Sequence, residues 1–176
     1  LEFAGRFDVL VLGPGLGSGQ ESFVAGLLEG WQGRLVLDAD GLNAADRRRL
    51  DLRTAPTILT PHAGEFSRLT DLAPRHESAR IVAEKLDLTV LLKGSPTFVT
   101  DGALPWVVDS GGPELASVGT GDVLAGMVAA LWARGLTAIE AGRSAAFWHG
   151  VAGDELARQS ALTANGLAAG IGRWAW

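Results

Sequence analysis

The chain has 176 residues, 47% of them hydrophobic and 20% charged, so it is long enough to bury the core of one globular domain. It has no cysteine, which excludes disulfides and thiolate metal sites, and its formal net charge of −5 argues against a general nucleic-acid-binding protein. No apolar run approaches the roughly 20 residues of a membrane-spanning helix, and the first residues lack the basic part of a signal peptide, so we expect a cytoplasmic protein without a membrane partner.

Four short apolar runs predict buried strands in the first half of the chain. They are followed by glycine, proline or polar residues, which end each strand. The four runs are "FDVLVLG", "RLVLDAD", "TILTPH" and "LTVLLKG".

Helical patterns lie between these strands. A capping-box pattern at Ser18 and Glu21 predicts the start of a helix, whose inner face is Phe23, Val24, Leu27 and Leu28. A short helix is expected over 44–50. The run "ESARIVAEKL" predicts a helix with Ile81, Val82 and Leu86 directed inward.

The second half predicts a hairpin and then helices. "TFVTDGALPWVV" has the turn signal Asp101-Gly102 between two β-rich runs. A helix is expected over 122–134, closed by Gly135, and a second capping box at Thr137 and Glu140 opens a long helix. A last helix is expected over 166–174. Alternating strands and helices predict one α/β domain over 1–176, with a mainly parallel sheet covered on both faces.

The glycine-rich loop "GPGLGSG" after the first strand admits two interpretations. It resembles a dinucleotide-binding turn, but the third glycine of that pattern is replaced by Ser18, and no Walker lysine loop occurs in the chain. A tight turn that packs a strand against a helix explains the glycines equally well.

The segment "GTGD" precedes a long apolar run. Gly119 and Gly121 allow close approach of a ligand to the backbone, and the free N–H groups of the helix that begins there form an anion site. Asp122 either stabilises the positive end of this helix or accepts a proton from a bound substrate.

Two further residues stand at strand ends. Lys93 closes the apolar run "TVLLK", where it either pairs with a carboxylate or phosphate or extends its ammonium group to solvent. His62 lies on the loop after the third strand and is either structural or functional. The group Asp38, Asp40 and Asn43 after the second strand either orients Mg²⁺ or caps the next helix.

Five segments together, "GPGLG", "LDADGLN", "LTPHAGE", "LLKGSPT" and "GTGDVLAGMVAAL", resemble the ADP-dependent NAD(P)H-hydrate dehydratases. This is a branch of the ribokinase-like superfamily. The resemblance extends from about Asp8 to about Leu156, and the order and spacing of the five motifs make it more specific than any one of them.

The resemblance implies a ribokinase-like three-layer αβα fold and a repair reaction. ADP, with Mg²⁺ as cofactor, donates a phosphate to the C6 hydroxyl of hydrated NADH or NADPH, and loss of that phosphate restores the nicotinamide. It assigns Asp122 as the catalytic residue and Gly15, Gly17, His62 and Asp122 to the hydrated dinucleotide. It assigns to the adenine nucleotide Lys93, Gly94, Ser95, Pro96, Thr97, Gly119, Thr120 and Gly121.

The chain departs from the family pattern in two ways. Family members have a further segment before the "GPGLG" strand, so we expect this chain to be the C-terminal part of a longer domain, lacking the N-terminal strands of its sheet. "KGSPT" has Ser95-Pro96 where a pair such as Ala-Gly is common, and Pro96 removes one backbone N–H.

Two other functions fit the same motifs. One is a kinase of the superfamily that acts on a vitamin-precursor alcohol with the same "GTGD" chemistry. The other is an inactive module that binds an adenine nucleotide without turnover. The resemblance also implies a homo-oligomer.

Overall fold

The computed structural model describes residues 4–159 and 161–173 of the chain. Six strands of the described part form one sheet, ordered as in the sequence. The strands are β1 Val9–Leu12, β2 Arg34–Leu37, β3 Thr57–Leu59, β4 Thr89–Leu92, β5 Thr97–Thr100 and β6 Trp106–Val108. Strands β1 to β4 are parallel, whereas β5 and β6 each run antiparallel to the preceding strand. All four predicted strands and the hairpin are thus confirmed.

Eight helices of the described part cover the two faces of the sheet. They are α1 Glu21–Gly30, α2 Ala39–Ala44, α3 Arg47–Leu52, α4 Ala63–Thr70, α5 His76–Leu86, α6 Thr120–Ala133, α7 Ala138–Ala157 and α8 Ala164–Ile171. Short 3₁₀ turns lie at Ala4–Arg6 and Pro113–Ala116.

The two faces of the sheet are both apolar because alternate side chains of a strand point in opposite directions. Leu35 and Leu37 of β2 pack with helices α1 to α5, whereas Val36 packs with α6 to α8. The same alternation separates Leu59 from Ile58 in β3. Two cores on opposite faces of one sheet make a three-layer αβα structure, as predicted.

The start of α1 corrects the first predicted capping box. The helix begins at Glu21 with Gln20 at its N-cap, and no side chain caps it. Gly17 and Gly19 both have positive φ, so Ser18 lies in an irregular loop outside the helix. On the inner face, Val24 and Leu28 are buried, but Phe23 is half-exposed.

The region between β2 and β4 differs most from the prediction. The single helix expected over 44–50 is wrong, because that stretch contains the end of α2 at Ala44 and the start of α3 at Arg47. Helix α4 was not predicted, since its first turn follows a proline and its core face is short. In α5, Val82 and Leu86 are buried as expected, but Ile81 is half-exposed.

The C-terminal helices follow the prediction closely. Helix α6 begins two residues earlier than expected, at Thr120, and the capping box of Thr137 and Glu140 opens α7. Helix α8 covers the predicted last helix up to Ile171, and the predicted end at Trp174 lies outside the described residues.

Within the described residues, β1 and β6 are the edges of the sheet. Val11 of β1 is 39% exposed. That the chain is one domain, and the C-terminal part of a longer one, stays a prediction. No helix in the described ranges combines the length and apolarity needed to cross a bilayer.

Candidate functional site

The carboxyl ends of the four parallel strands lie next to the amino end of α6. Below, "this edge" means the side of the sheet where these strands end, and "the opposite edge" means the side where they begin. The loops after β1, β2, β3 and β4 contain the glycine-rich turn, Asp38, His62 and Lys93. Ligands of open α/β sheets bind at this edge, because the loops there diverge and leave a crevice.

The glycine-rich loop is shaped by close packing and by positive φ angles. A Cβ on Gly13, whose φ is +130°, would lie 1.7 Å from the Asp38 carbonyl oxygen, so only glycine fits there. Gly15 and Gly17 also have positive φ but face open space and are exposed. The Gly17 N–H donates to Asp40 Oδ2 at 3.0 Å, which ties the loop to the end of β2. The tight-turn interpretation therefore holds at Gly13, whereas ligand binding at Gly15 and Gly17 stays a prediction.

Lys93 lies between two buried carboxylates. Its Nζ is 2.7 Å from Asp38 Oδ1 and 3.9 Å from Glu65 Oε2. The Lys93 side chain keeps 20% of its surface exposed. A Cβ on Gly121 would lie 3.5 Å from the same Nζ, so the ammonium group also borders the start of α6. Of the two predicted environments of Lys93, the carboxylate pair is present.

His62 is the N-cap of α4, and its ring remains half-exposed at the site. Its Nδ1 accepts from the N–H groups of Gly64 and Glu65, at 3.0 and 3.3 Å. The Glu65 carboxylate accepts from the His62 N–H at 2.8 Å and lies 3.3 Å from Nε2. Since Nδ1 accepts, the ring proton is on Nε2. The capping hydrogen bonds of His62 thus fix the orientation of its ring, and the ring remains accessible to a ligand.

Helix α6 presents its amino end to this edge. Gly119 is the N-cap with φ +85°, and Asp122 is the third residue of the helix. The Asp122 carboxylate is exposed, and no side chain makes a cap hydrogen bond at this helix start. The capping interpretation of Asp122 is therefore reduced to a favourable interaction with the helix dipole.

The 93–97 loop between β4 and β5 is largely exposed. The Thr97 hydroxyl donates to the Gly94 carbonyl at 3.0 Å, and the Ser95-Pro96 peptide is cis. Lys93 N–H donates to the Pro61 carbonyl at 2.8 Å, which joins this loop to His62. The predicted nucleotide residues of this loop and of α6 thus lie at the same edge of the sheet.

His149 of α7 is a buried histidine beneath the start of α6. Its Nε2 lies 2.9 Å from the Thr120 carbonyl oxygen. Burial lowers the pKa of His149, the hydrogen bond to Thr120 opposes this, and the charge of Lys93 lowers it again. The ring is therefore neutral and donates from Nε2.

One cavity of the described structure lies away from this edge. A cavity of about 270 Å³ opens at the opposite edge, where Thr57, Thr89, Asp87 and Asp101 line it. The predicted site residues are absent from its lining. The first residues of α7 line it, but its lining contains no lysine, arginine or histidine to meet a phosphate. The chemistry of the residues therefore places the candidate site at the carboxyl ends of the strands.

Comparison with known protein families identifies the family of this chain. A family model described as NAD(P)H-hydrate dehydratase matches residues 1–171. The chain belongs to the NAD(P)H-hydrate dehydratase family. The resemblance inferred from the five motifs is confirmed.

Curated relatives of the family are similar over most of this chain. The bifunctional NAD(P)H-hydrate repair enzyme Nnr of Gloeobacter violaceus is 44% identical over 158 residues, which are 86% of this chain and 31% of the relative. The enzyme of the same name from Thermofilum pendens is 41% identical over 170 residues, covering 90% and 32%. The chain thus spans about a third of the length of these relatives.

Solved structures agree on the fold. The ADP/ATP-dependent NAD(P)H-hydrate dehydratase from Bacillus subtilis, co-crystallised with ATP and Mg²⁺, has a TM-score of 0.82 at 29% identity, over 94% of this chain and 63% of that chain. Hydroxyethylthiazole kinase from Pyrococcus horikoshii has a TM-score of 0.74 at 21% identity, over 99% and 73%, which shows the fold alone.

The described residues of this family member do not form a metal cage. They contain no group of three histidine or carboxylate ligands that could hold a metal ion. Asn43 is turned to Arg68, whose Nη2 donates to it at 2.9 Å. However, Asp38 Oδ2 is buried and has no hydrogen-bond partner. This fits an ion such as Mg²⁺, which commonly binds one or two carboxylates together with ligand phosphates and water.

Sequence reasoning assigned no role to two residues at the site. Glu65 is the last residue of the segment "LTPHAGE", and its spacing of three from His62 is that of a capping box with histidine in place of serine or threonine. His149 lies in an apolar helix, and no local pattern distinguishes it from a core histidine. Only the packing of α7 against α6 places it at the site.

Proposed function

We propose that the chain supplies the ADP-dependent dehydratase activity of its family, which returns hydrated NADH or NADPH to the reduced dinucleotide. The observation that carries this proposal is the position of Lys93 beside the amino end of α6, at the same edge as His62 and the glycine loop. A cation, free N–H groups and an exposed carboxylate together suit phosphoryl transfer, which depends on positioning and charge stabilisation.

The adenine nucleotide is proposed to bind between the 93–97 loop and the 119–121 turn. The free N–H groups of the first turn of α6 and the positive end of its dipole favour a phosphate there. The ammonium group of Lys93 is a compact positive charge beside this helix start, and part of the Lys93 side chain is exposed. Mg²⁺, carried by the phosphates, would be held by the Asp38 carboxylate and would neutralise charge on the transferring group.

The hydrated dinucleotide is proposed to bind on the other side of Asp122. Gly15 and Gly17 leave backbone open to a ligand, and the half-exposed ring of His62 has its Nε2–H at the rim of the same edge. Residues without side chains allow a large ligand to contact the backbone directly.

The reaction is proposed to proceed in two steps. The C6 hydroxyl of the hydrate attacks the terminal phosphorus of ADP, Asp122 accepts the hydroxyl proton, and AMP leaves with the electron pair of the broken P–O bond. The C6–O bond then breaks, inorganic phosphate leaves, and loss of a ring proton restores the reduced nicotinamide. Hydrated NADH and ADP are thus converted to NADH, AMP and phosphate.

We also propose the substrate class, the location and the assembly state of the protein. Small-molecule substrates, a cytoplasmic location and a homo-oligomeric state follow from the family. The net charge of −5 supports the absence of a nucleic-acid partner.

One variant of the candidate site and one matched control variant test the proposal. The protein is mixed with hydrated NADH, ADP or ATP, and Mg²⁺, and the return of NADH absorbance is followed. Asp122→Asn is expected to abolish the return of absorbance, because the amide cannot accept the proton. Asp101→Asn is the matched control, since Asp101 is an exposed carboxylate at the opposite edge whose Oδ1 accepts from Ala103 N–H, as the amide oxygen also can.

The results separate the alternative functions. Nucleotide consumption without return of NADH, on a vitamin-precursor alcohol, would indicate a kinase. Nucleotide binding without turnover on any alcohol would indicate a binding module. Equal activity of Asp122→Asn and Asp101→Asn would contradict the proton-acceptor role of Asp122.

A further inference from the structure

Thr120 is the first residue of α6, and four hydrogen bonds fix its position. Its hydroxyl shares its proton between the carbonyl oxygens of Leu115 and Ser117, at 2.5 and 2.8 Å. Its N–H donates to the Ser117 carbonyl at 3.3 Å. Its own carbonyl lies 2.9 Å from His149 Nε2.

The contact with His149 determines more than the position of Thr120. In a planar trans peptide, the carbonyl of one residue and the N–H of the next point in opposite directions. The carbonyl of Thr120 and the N–H of Gly121 belong to the same peptide. A donor that holds this carbonyl on the α7 side therefore directs the Gly121 N–H away from α7.

The opposite side of this peptide borders the candidate site. Lys93 Nζ lies 3.5 Å from where a Cβ of Gly121 would be. The N–H of Gly121 belongs to the second residue of the helix, so it has no partner within the helix and is free for a ligand. A hydrogen bond accepted by the carbonyl also polarises the peptide and strengthens its N–H as a donor.

We infer that His149 is a positioning residue, which holds the Thr120 carbonyl so that the Gly121 N–H is fixed as a phosphate donor at the mouth of α6. The inference rests on the proposed function for the identity of the phosphate, which is that of an adenine nucleotide. His149 is buried and contacts the ligand only through the Thr120–Gly121 peptide.

The donor atom of His149 distinguishes this role from simple packing. A carbonyl oxygen only accepts, so the proton must be on Nε2. His149→Gln keeps an N–H donor near the position of Nε2, whereas His149→Leu keeps the apolar volume and removes the donor. Val128→Ala changes a buried residue in the middle of α6, about two turns away from Thr120. It is the control for a loss of stability alone.

Two measurements test the inference. The imidazole ¹⁵N shifts of the wild type are expected to show the Nε2–H tautomer. By calorimetry, ADP with Mg²⁺ should bind roughly tenfold more weakly to His149→Leu, near the wild-type strength to His149→Gln, and unchanged to Val128→Ala. The amide ¹⁵N shift of Gly121, which reports the hydrogen bond accepted by its peptide carbonyl, should move in His149→Leu and return in His149→Gln.

The outcomes distinguish failure of the inference from failure of the proposed function. An Nδ1–H tautomer, or a His149→Leu variant with the wild-type ADP affinity, would overturn the positioning role. Should the wild type not bind ADP at all, the proposed function is wrong, and the Gly121 shift then decides the positioning role alone. The tautomer is read on the wild type, so the inference stays testable even where the leucine variant does not fold.

Discussion

The Nζ of Lys93 lies 2.7 Å from Oδ1 of Asp38, and that carboxylate is 1% exposed. The second oxygen of Asp38 is buried without a hydrogen-bond partner. Lys93 is therefore the group that compensates the buried charge of Asp38, and it lies within 3.9 Å of Glu65 as well. One carboxylate oxygen of this buried ion pair thus has no partner, which costs stability. Such an arrangement is suited to a site that receives a further charged ligand.

Removal of Lys93 should destabilise the fold strongly. Lys93→Met leaves the Asp38 carboxylate buried without its cation, which is expected to lower the free energy of unfolding by about 3–5 kcal/mol. The double variant Asp38→Asn with Lys93→Met removes both charges and should recover much of this loss. Urea unfolding of the wild type, the single variants and the double variant measures the coupling.

Additive losses in that cycle would contradict the role given to the pair. If the double variant were as unstable as the sum of its two single variants, Asp38 and Lys93 would not interact in the folded protein. Arg80→Met is a suitable control, because its partner Glu84 is exposed and the pair should contribute less than about 1 kcal/mol.

Glycine substitutions in the loop after β1 should separate folding from binding. Gly13→Ala places a methyl group within 1.7 Å of the Asp38 carbonyl and is expected to lower the free energy of unfolding by more than about 4 kcal/mol. Gly17→Ala faces open space at φ +78° and should cost only about 1–2 kcal/mol. Its methyl group should nevertheless raise the KM for the hydrated dinucleotide.

The control for this pair is Gly26→Ala. Gly26 lies exposed in the interior of α1 with open space around it, so alanine should stabilise the protein by about 0.5–1 kcal/mol and leave the KM unchanged. Thermal unfolding and steady-state kinetics measure the two effects. A Gly13→Ala variant of wild-type stability would show that the loop does not pack on Asp38.

The fold could be predicted because its signals are local and periodic. In β2, Leu35, Val36 and Leu37 are all apolar, which is typical of a strand buried on both faces, and the structure places them in two different cores. The Thr137 and Glu140 capping box is a pattern of four residues and needs no tertiary context.

The site was predictable only in part, because its contacts join distant residues. The polar residues at strand ends were identified, but the pairing of Lys93 with Asp38 spans 55 positions and depends on the strand order. His149 contacts Thr120 across the α6–α7 interface, 29 positions away. The Ser18 capping box failed for a local reason, since positive φ at Gly17 and Gly19 keeps the chain out of the helix.

Arg53 should contribute to stability through neutral acceptors. Its guanidinium donates to the carbonyl oxygens of Leu28, Trp31 and Gly33 and to the Thr57 hydroxyl, and burial lowers the pKa of Arg53. Arg53→Met leaves these buried acceptors without a donor, so the free energy of unfolding should fall by about 3 kcal/mol. Urea unfolding measures this against Arg48→Met, an exposed change in α3, the helix that ends just before Arg53, which should cost less than about 0.5 kcal/mol. Equal losses in both variants would mean that these carbonyls find other partners.

Protonation of His149 should destabilise the protein in acid. Burial lowers its pKa in the folded state below the ordinary value of 6.5, and in the unfolded chain the ring titrates near that value. Above about pH 6.5 the ring is neutral in both states and adds no pH dependence. As the pH falls through that value, the unfolded chain binds a proton that the folded protein does not, so stability decreases.

Comparison with His149→Gln isolates this effect. The variant keeps a donor for the Thr120 carbonyl and has no group that titrates there, while His62 and His76 are common to both proteins and cancel. The wild type should therefore lose stability relative to the variant between about pH 7 and pH 5, and the difference should be constant above pH 7. Urea unfolding at a series of pH values gives the two curves. Parallel curves over the whole range would mean that His149 titrates alike in the folded and unfolded states, and that the ring is not held neutral beneath α6.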